Sequence, residues 1–176
     1  MPIAVTLVLD PVSAAAVERL WHVLAERLGA DDVLGLGYQP HVTLAIMPDE
    51  APVAVIDAVL GDRAAVTPAL PVTLAGIELF PDTPPVLWAA PTPSAALLAL
   101  HRRVIDSLQS HQVHPHYRPD VWVPHVTLSK EARCSAEDLV ATAVSAWTGP
   151  VHGRLERMEL VRFRPVTVLR AHSLMA

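Results

Sequence analysis

The chain has 176 residues, 52% of them apolar, and a net charge of −5; it can bury the core of one domain, and its charge argues against bulk electrostatic binding of long nucleic acid. No apolar run approaches the ~18 residues of a membrane helix, and the start, Met1-Pro2-Ile3-Ala4-Val5, lacks a basic leader and meets Asp10 and Pro11 too early for a signal peptide. A single cysteine, Cys134, excludes an internal disulfide and fits the expected location, a reducing cytoplasm.

Ile3 to Leu9 is a β-branched run of strand length. Asp10 with Pro11 reads as an N-cap with proline at the first helical position; Val17, Leu20, Trp21, Leu24 and Leu28 keep helical spacing, and Gly29 ends the helix. A loop with Asp31, Asp32, Gly35 and Gly37 leads into a strand over His41 to Met47. Asp49 and Pro52 open a shorter helix, followed by a strand over Val72 to Phe80, a turn at Pro81 to Pro84 and a strand over Val86 to Ala90.

The second half repeats this order. Thr92-Pro93 matches the cap-proline pair, Leu97, Leu100, Val104 and Leu108 form the helical stripe, and Trp122 to Ser129 reads as a strand. Ser135 with Asp138 suggests a capping box for a fourth helix, and strands over Leu155 to Phe163 and Val166 to Leu169 close the chain. One domain over 1–176 is therefore expected, made of two pseudo-symmetric lobes near 1–84 and 85–176. Charge divides unevenly between the halves. Residues 1–100 hold three arginines against eleven acids, whereas residues 101–176 hold ten Lys/Arg against seven, so a phosphate partner should feel the second half more strongly.

The repeat has a chemical centre. Pro40-His41-Val42-Thr43-Leu44 recurs as Pro124-His125-Val126-Thr127-Leu128. On a strand, alternate side chains share a face, so each copy presents an imidazole and a hydroxyl on one side and two apolar anchors on the other. One copy alone would be an ordinary polar strand face; two copies in register point to a shared site. Paired imidazoles suit general acid–base catalysis near neutrality, and threonine hydroxyls can donate to non-bridging phosphate oxygens. Together they suit in-line phosphoryl chemistry, one His taking a proton from the nucleophile and the other giving one to the leaving oxygen.

At these residues the sequence resembles the two-histidine phosphoesterase superfamily, especially its 2′-5′ RNA ligase-like branch, which includes RNA 2′,3′-cyclic phosphodiesterases. The resemblance extends to Val86-Leu87-Trp88, to the helix with Leu97, Leu98, Leu100 and His101, and to Tyr117-x-Pro119-x-x-Trp122-x-Pro124. It implies a duplicated bilobal α+β fold, two mainly antiparallel sheets with outer helices around a central cleft. It places His41, Thr43, His125 and Thr127 in that cleft, with neither a metal nor an organic cofactor. The chain departs from the branch at Ala45-Ile46-Met47-Pro48, where an aromatic residue and a glycine are common, and at Ser129-Lys130, where arginine is frequent. Lys130 keeps the charge without the planar fork.

The function expected is metal-independent hydrolysis of a 2′,3′-cyclic phosphate on an RNA end or small cyclic nucleotide, by a monomer with no membrane partner. The alternatives are a non-catalytic binder of phosphorylated nucleotide or RNA ends, and a 2′-5′ RNA ligase. Lys130, Tyr117 and Trp122 are the candidate substrate-binding residues, the two aromatics as stacking surfaces for a base. Lys130 should depress the proton affinity of His125, favouring it as the neutral base and His41 as the acid. His111, His114 and His116 have metal-like spacing but lie in a polar loop and read as surface. The arginines at 154, 157, 162, 164 and 170 read as a solvated sheet face, and His22 and His101 as structural.

Overall fold

The computed structural model describes residues 2–108 and 112–176. The motif strands end up as the two edges of one curled sheet, and the elements between them explain why. β1 (Ile3–Leu9) is buried at every position, as a strand paired on both sides and covered on both faces must be. α1 (Pro11–Leu28) starts where the Asp10 carboxylate accepts hydrogen bonds from Val12 N and Ser13 N at 3.0 and 3.1 Å. It stops at Gly29, whose φ of +64° suits a residue without Cβ. β2 (His41–Met47) follows over the expected span.

α2 (Val53–Ala64) is preceded by Pro52 with no side-chain cap, so Asp49 is not the cap; it pairs with Arg162 at 3.2 Å instead. β3 (Leu70–Phe80) and β4 (Val86–Pro91) form a hairpin. α3 (Ala95–Ser107) is capped by Ser94, whose hydroxyl accepts from Leu97 N at 3.1 Å. The expected cap, Thr92, is still held by the sheet: its N–H donates to Thr73 O at 2.8 Å. β5 is Val126–Ser129, shorter than the expected strand from Trp122. Pro124 has no N–H to offer a ladder, and Trp122 N is taken by a turn contact to Arg118 O at 2.9 Å. α4 (Ala136–Ala146) is capped by Ser135, whose hydroxyl accepts from Asp138 N and donates to its carboxylate. β6 (Val151–Arg162) and β7 (Thr167–Ser173) complete the chain.

All strand pairs are antiparallel, in the order β2-β1-β6-β3-β4-β5, with β7 also on β6. The two expected sheets are thus the wings of a single seven-stranded sheet. β6 joins them: Val151 to Leu155 pair with β3, while Leu155 to Arg162 pair with β1 and Arg157 to Arg162 also with β7. The halves of the chain interleave. β3, from the first half, lies between β4 and β6; β6 and β7, from the second, flank and extend β1. Helices cross as well: α1 packs on α4, β6 and β5, whereas α3 packs on α2 and β2. Although β2 and β5 are at opposite ends of the hydrogen-bonded order, they touch, so the sheet curls until its edges meet.

The arginines flagged in the second half mostly have partners. Arg157 binds Glu159 at 2.6 Å, Arg164 binds Glu131 at 2.5 Å, and Arg170 binds Asp57 at 2.9 Å. Among the described residues no helix is long and apolar enough to cross a membrane.

Candidate active site

Both motifs alternate as their strands require. Val42, Leu44, Val126 and Leu128 are at most 1% exposed, while His41, Thr43, His125 and Thr127 are half-buried. Burial of each apolar anchor stabilises the strand by about 1.5–3 kcal/mol, which fixes the facing of its polar pair. A one-residue slip would put both histidines into the core. Each strand also carries a register shift just after its threonine: β1–β2 skips between Thr43 and Ala45, and β4–β5 between Thr127 and Ser129. The two copies share this irregularity as well as their letters.

The imidazoles are held alike. His41 Nδ1 lies 2.7 Å from Gln39 O, and His125 Nδ1 lies 2.9 Å from Val123 O, each two residues upstream. A carbonyl only accepts, so Nδ1 carries the proton in both rings and Nε2 is left free for chemistry. All four motif side chains line one cavity of about 720 Å³. The charges are close enough to interact, since protonation of His125 disfavours protonation of His41.

The surroundings of the two rings differ. His41 packs at 4.7 Å against Tyr38, whose hydroxyl donates to Glu159 Oε2 at 2.7 Å and contacts Thr6 Oγ1 at 2.7 Å. Arg157 binds the other oxygen of Glu159 and reaches Gln39 Oε1 at 3.3 Å. Burial pushes the Tyr38 phenol well above its ordinary pKa, so it remains a donor. His125 instead meets Phe80 and Trp88 edge to face at 5.3 and 6.0 Å, and those two rings stack at 4.8 Å.

Burial drives the His41 pKa down to about 4; His125 and Lys130 add to that, while the Gln39 carbonyl and Glu159 oppose it. Burial also lowers His125, opposed by the Val123 carbonyl. The Lys130 charge is felt at His41, because the curl of the sheet brings the end of β5 opposite β2.

The three expected substrate contacts all reach the cavity wall, with different freedom. Lys130 sits where the Asp32 carboxylate clamps the end of β5, accepting from Ser129 Oγ at 2.8 Å, Lys130 N at 2.8 Å and Glu131 N at 3.1 Å. Tyr117 is half-buried, and burial pushes its phenol up to about 12. Trp122 is 7% exposed, its ring stacked on His101 at 3.8 Å and its indole N–H donated to Thr43 O at 3.0 Å. Both uses of that ring are already committed within the fold.

Phe80, which the sequence did not single out as a site residue, lines the cavity with one face on Trp88. Arg164, held by Glu131, lines it too. Of the histidine loop, His111 lies outside the described residues; His114 and His116 stand edge to face at 4.9 Å, and His116 reaches the cavity. Among the described residues no group of three His, Cys, Asp or Glu side chains is placed to hold a metal ion.

A curled antiparallel sheet that faces two His-x-Thr strands across a cleft is the arrangement of a two-histidine phosphoesterase. A family model described as the 2′-5′ RNA ligase superfamily matches residues 8–166, and the chain belongs to that superfamily. Its fold is similar to TT0787 of Thermus thermophilus, with a TM-score of 0.69, 20% identity and coverage of 99% of this chain and 98% of that one. It is also similar to E. coli LigT in apo form, with a TM-score of 0.64, 17% identity and coverage of 99% and 98%. LigT complexed with 3′-AMP matches at a TM-score of 0.66, 18% identity and complete coverage of both chains. No curated protein matches significantly. Membership supports an enzyme of phosphodiesterase or ligase type.

Proposed function

We propose that the protein is a metal-independent phosphodiesterase that opens a 2′,3′-cyclic phosphate on an RNA end or small nucleotide. The observation that carries this reading is the matched holding of the two histidines, each with Nδ1 on the carbonyl two residues upstream and each lining the shared cavity. In-line displacement needs a proton acceptor at the attacking water and a donor at the departing ribose oxygen, on opposite sides of phosphorus. Two imidazoles on facing strands of one cavity meet that need once one ring is protonated. Thr43 and Thr127 donate to the non-bridging oxygens, and the Lys130 ammonium offsets the phosphate charge. The free face of Phe80 gives a base a stacking surface beside His125. The E. coli LigT structures with 3′-AMP and NADP+ bear on the nucleotide character of the ligand.

The test is turnover of 2′,3′-cyclic mononucleotides and cyclic-ended RNA in EDTA, with products resolved by phosphorus NMR. Steady hydrolysis in chelator is expected, lost by ~10²–10⁴-fold in His41→Ala and in His125→Ala. Saturable binding with no turnover would make the protein a binder, and activity restored only by added Zn²⁺ or Mn²⁺ would end the metal-free reading. A substrate with an activated leaving group rescues loss of the acid and not of the base, so it assigns the two roles.

A further inference from the structure

The motif strands are edge strands, and an edge leaves main-chain groups without a ladder partner. At both threonines the outward carbonyl is met by a tryptophan. Trp122 Nε1 donates to Thr43 O at 3.0 Å, and Trp21 Nε1 donates to Thr127 O at 3.0 Å. Each bond crosses the molecule: Trp122 lies three residues before His125 but grips the first motif, and Trp21, on α1 of the first half, grips the second. The crossing follows from the exchange of helices, since α1 packs on β5 and α3 on β2. His101, on α3, supports the Trp122 ring. It is 1% exposed, stacks flat on Trp122, and its Nε2 lies 3.0 Å from Tyr117 O.

These bonds fall at the register shifts, where the ladder no longer dictates the direction of the threonine peptide. Both indoles are buried, Trp21 at 4% and Trp122 at 7% exposure, so neither bond competes with bulk water.

We propose that Trp21 and Trp122 are crossed positioning residues: each fixes the catalytic threonine of the motif in the opposite half, and so couples the two halves of the site. The proposal rests on the two-histidine reading of the reaction. Phenylalanine keeps the ring and removes the donor, so Trp21→Phe and Trp122→Phe isolate the hydrogen bond. Each should lower kcat about tenfold with little change in KM, since a misaimed hydroxyl loses more in the transition state than in the ground state.

A double-mutant cycle reads the crossing. The penalty of Trp122→Phe should vanish in Thr43→Ala and persist in Thr127→Ala, and Trp21→Phe should show the reverse. A general structural role would give equal penalties in both backgrounds, and that result, or coupling within the same half, overturns the proposal. If either Phe variant fails to fold, the indole ¹⁵N–H signals of the Trp-intact protein serve, the Trp122 signal being told from that of Trp21 by its proximity to the stacked His101 ring. Inorganic phosphate should shift the Trp122 signal in Thr127→Ala but not in Thr43→Ala, with the opposite pattern for Trp21; identical shifts in both variants refute it. If the wild-type protein turns over no phosphodiester, the reaction reading fails alone, and the response of the two indole signals to inorganic phosphate still decides the crossing.

Discussion

A phosphate bound between the histidines should restore the basicity that burial removes from His41. In the free protein His41 is held to about 4, chiefly by desolvation, so at pH 7 only ~0.1% of it carries the second proton. A unit negative charge about 4 Å from the ring, at an effective dielectric of ~20, contributes roughly 4 kcal/mol toward the protonated form. At ~1.4 kcal/mol per unit this raises the pKa by about 3, to the neighbourhood of neutrality. The paired-proton state would then form mainly on phosphate, and an empty site would hold two neutral rings. Histidine Cε1–H NMR titrations of the free protein and of the protein saturated with inorganic phosphate read both values. His41 should titrate near 4 when free and about 2–3 units higher when bound, and Lys130→Met should raise the free value, because the ammonium opposes a second positive charge. A free His41 that titrates at ~6.5, or one whose midpoint ignores phosphate, would refute the argument.

Three further outcomes follow from other parts of the fold. Stability should fall as pH drops from 6.5 toward 4.5: His41 and His101 both titrate near 4 when folded and ~6.5 when unfolded, so the unfolded chain binds protons first, at a cost of up to ~3 kcal/mol per residue. Urea melts at the two pH values check this, and His101→Asn should remove part of the slope, the rest belonging to His41 and to His125, which burial also lowers. Asp32→Ala deletes the acceptor of three bonds at the end of β5; a loss of about 2–3 kcal/mol and a Tm lower by ~4–10 °C are expected, with KM raised through the freed Lys130. Phe80→Ala should raise KM for cyclic nucleotides about tenfold but leave hydrolysis of a phosphodiester without a base nearly unchanged, since stacking contributes ~1–3 kcal/mol per base.

The site's letters were legible where local rules act alone. Alternation along His41 to Met47 told which side chains share a face, and Asp10-Pro11 with Gly29 bracketed α1, because caps and pleats depend only on near neighbours. Where long-range contacts compete, the local reading slipped. Thr92 resembles a cap yet stays in the sheet through Thr73, and Trp122 to His125 resemble a strand yet Pro124 keeps them out of the ladder. Helical periodicity says which face of α1 is apolar but not which strands it covers, so the reach of Trp21 to Thr127, 106 residues away, carries no local signal. The Asp32 clamp is hidden in the same way, by a separation of 97 residues from Ser129. Lys130 is near His125 in sequence, and the curl of the sheet, which no local pattern announces, brings its charge to His41.

Because β6 runs from one wing to the other, a single strand carries both walls of the cleft. Bending the wings apart would strain one strand that is paired to β3 at its start and to β1 and β7 beyond, and every ladder bond it broke would expose a buried amide. On the proposed reaction, a substrate would meet two edges whose spacing is set by the ladders of that one strand. Selection among phosphates would then rest on what fits between those edges, and rate on how well they already match a phosphorus with five oxygens around it.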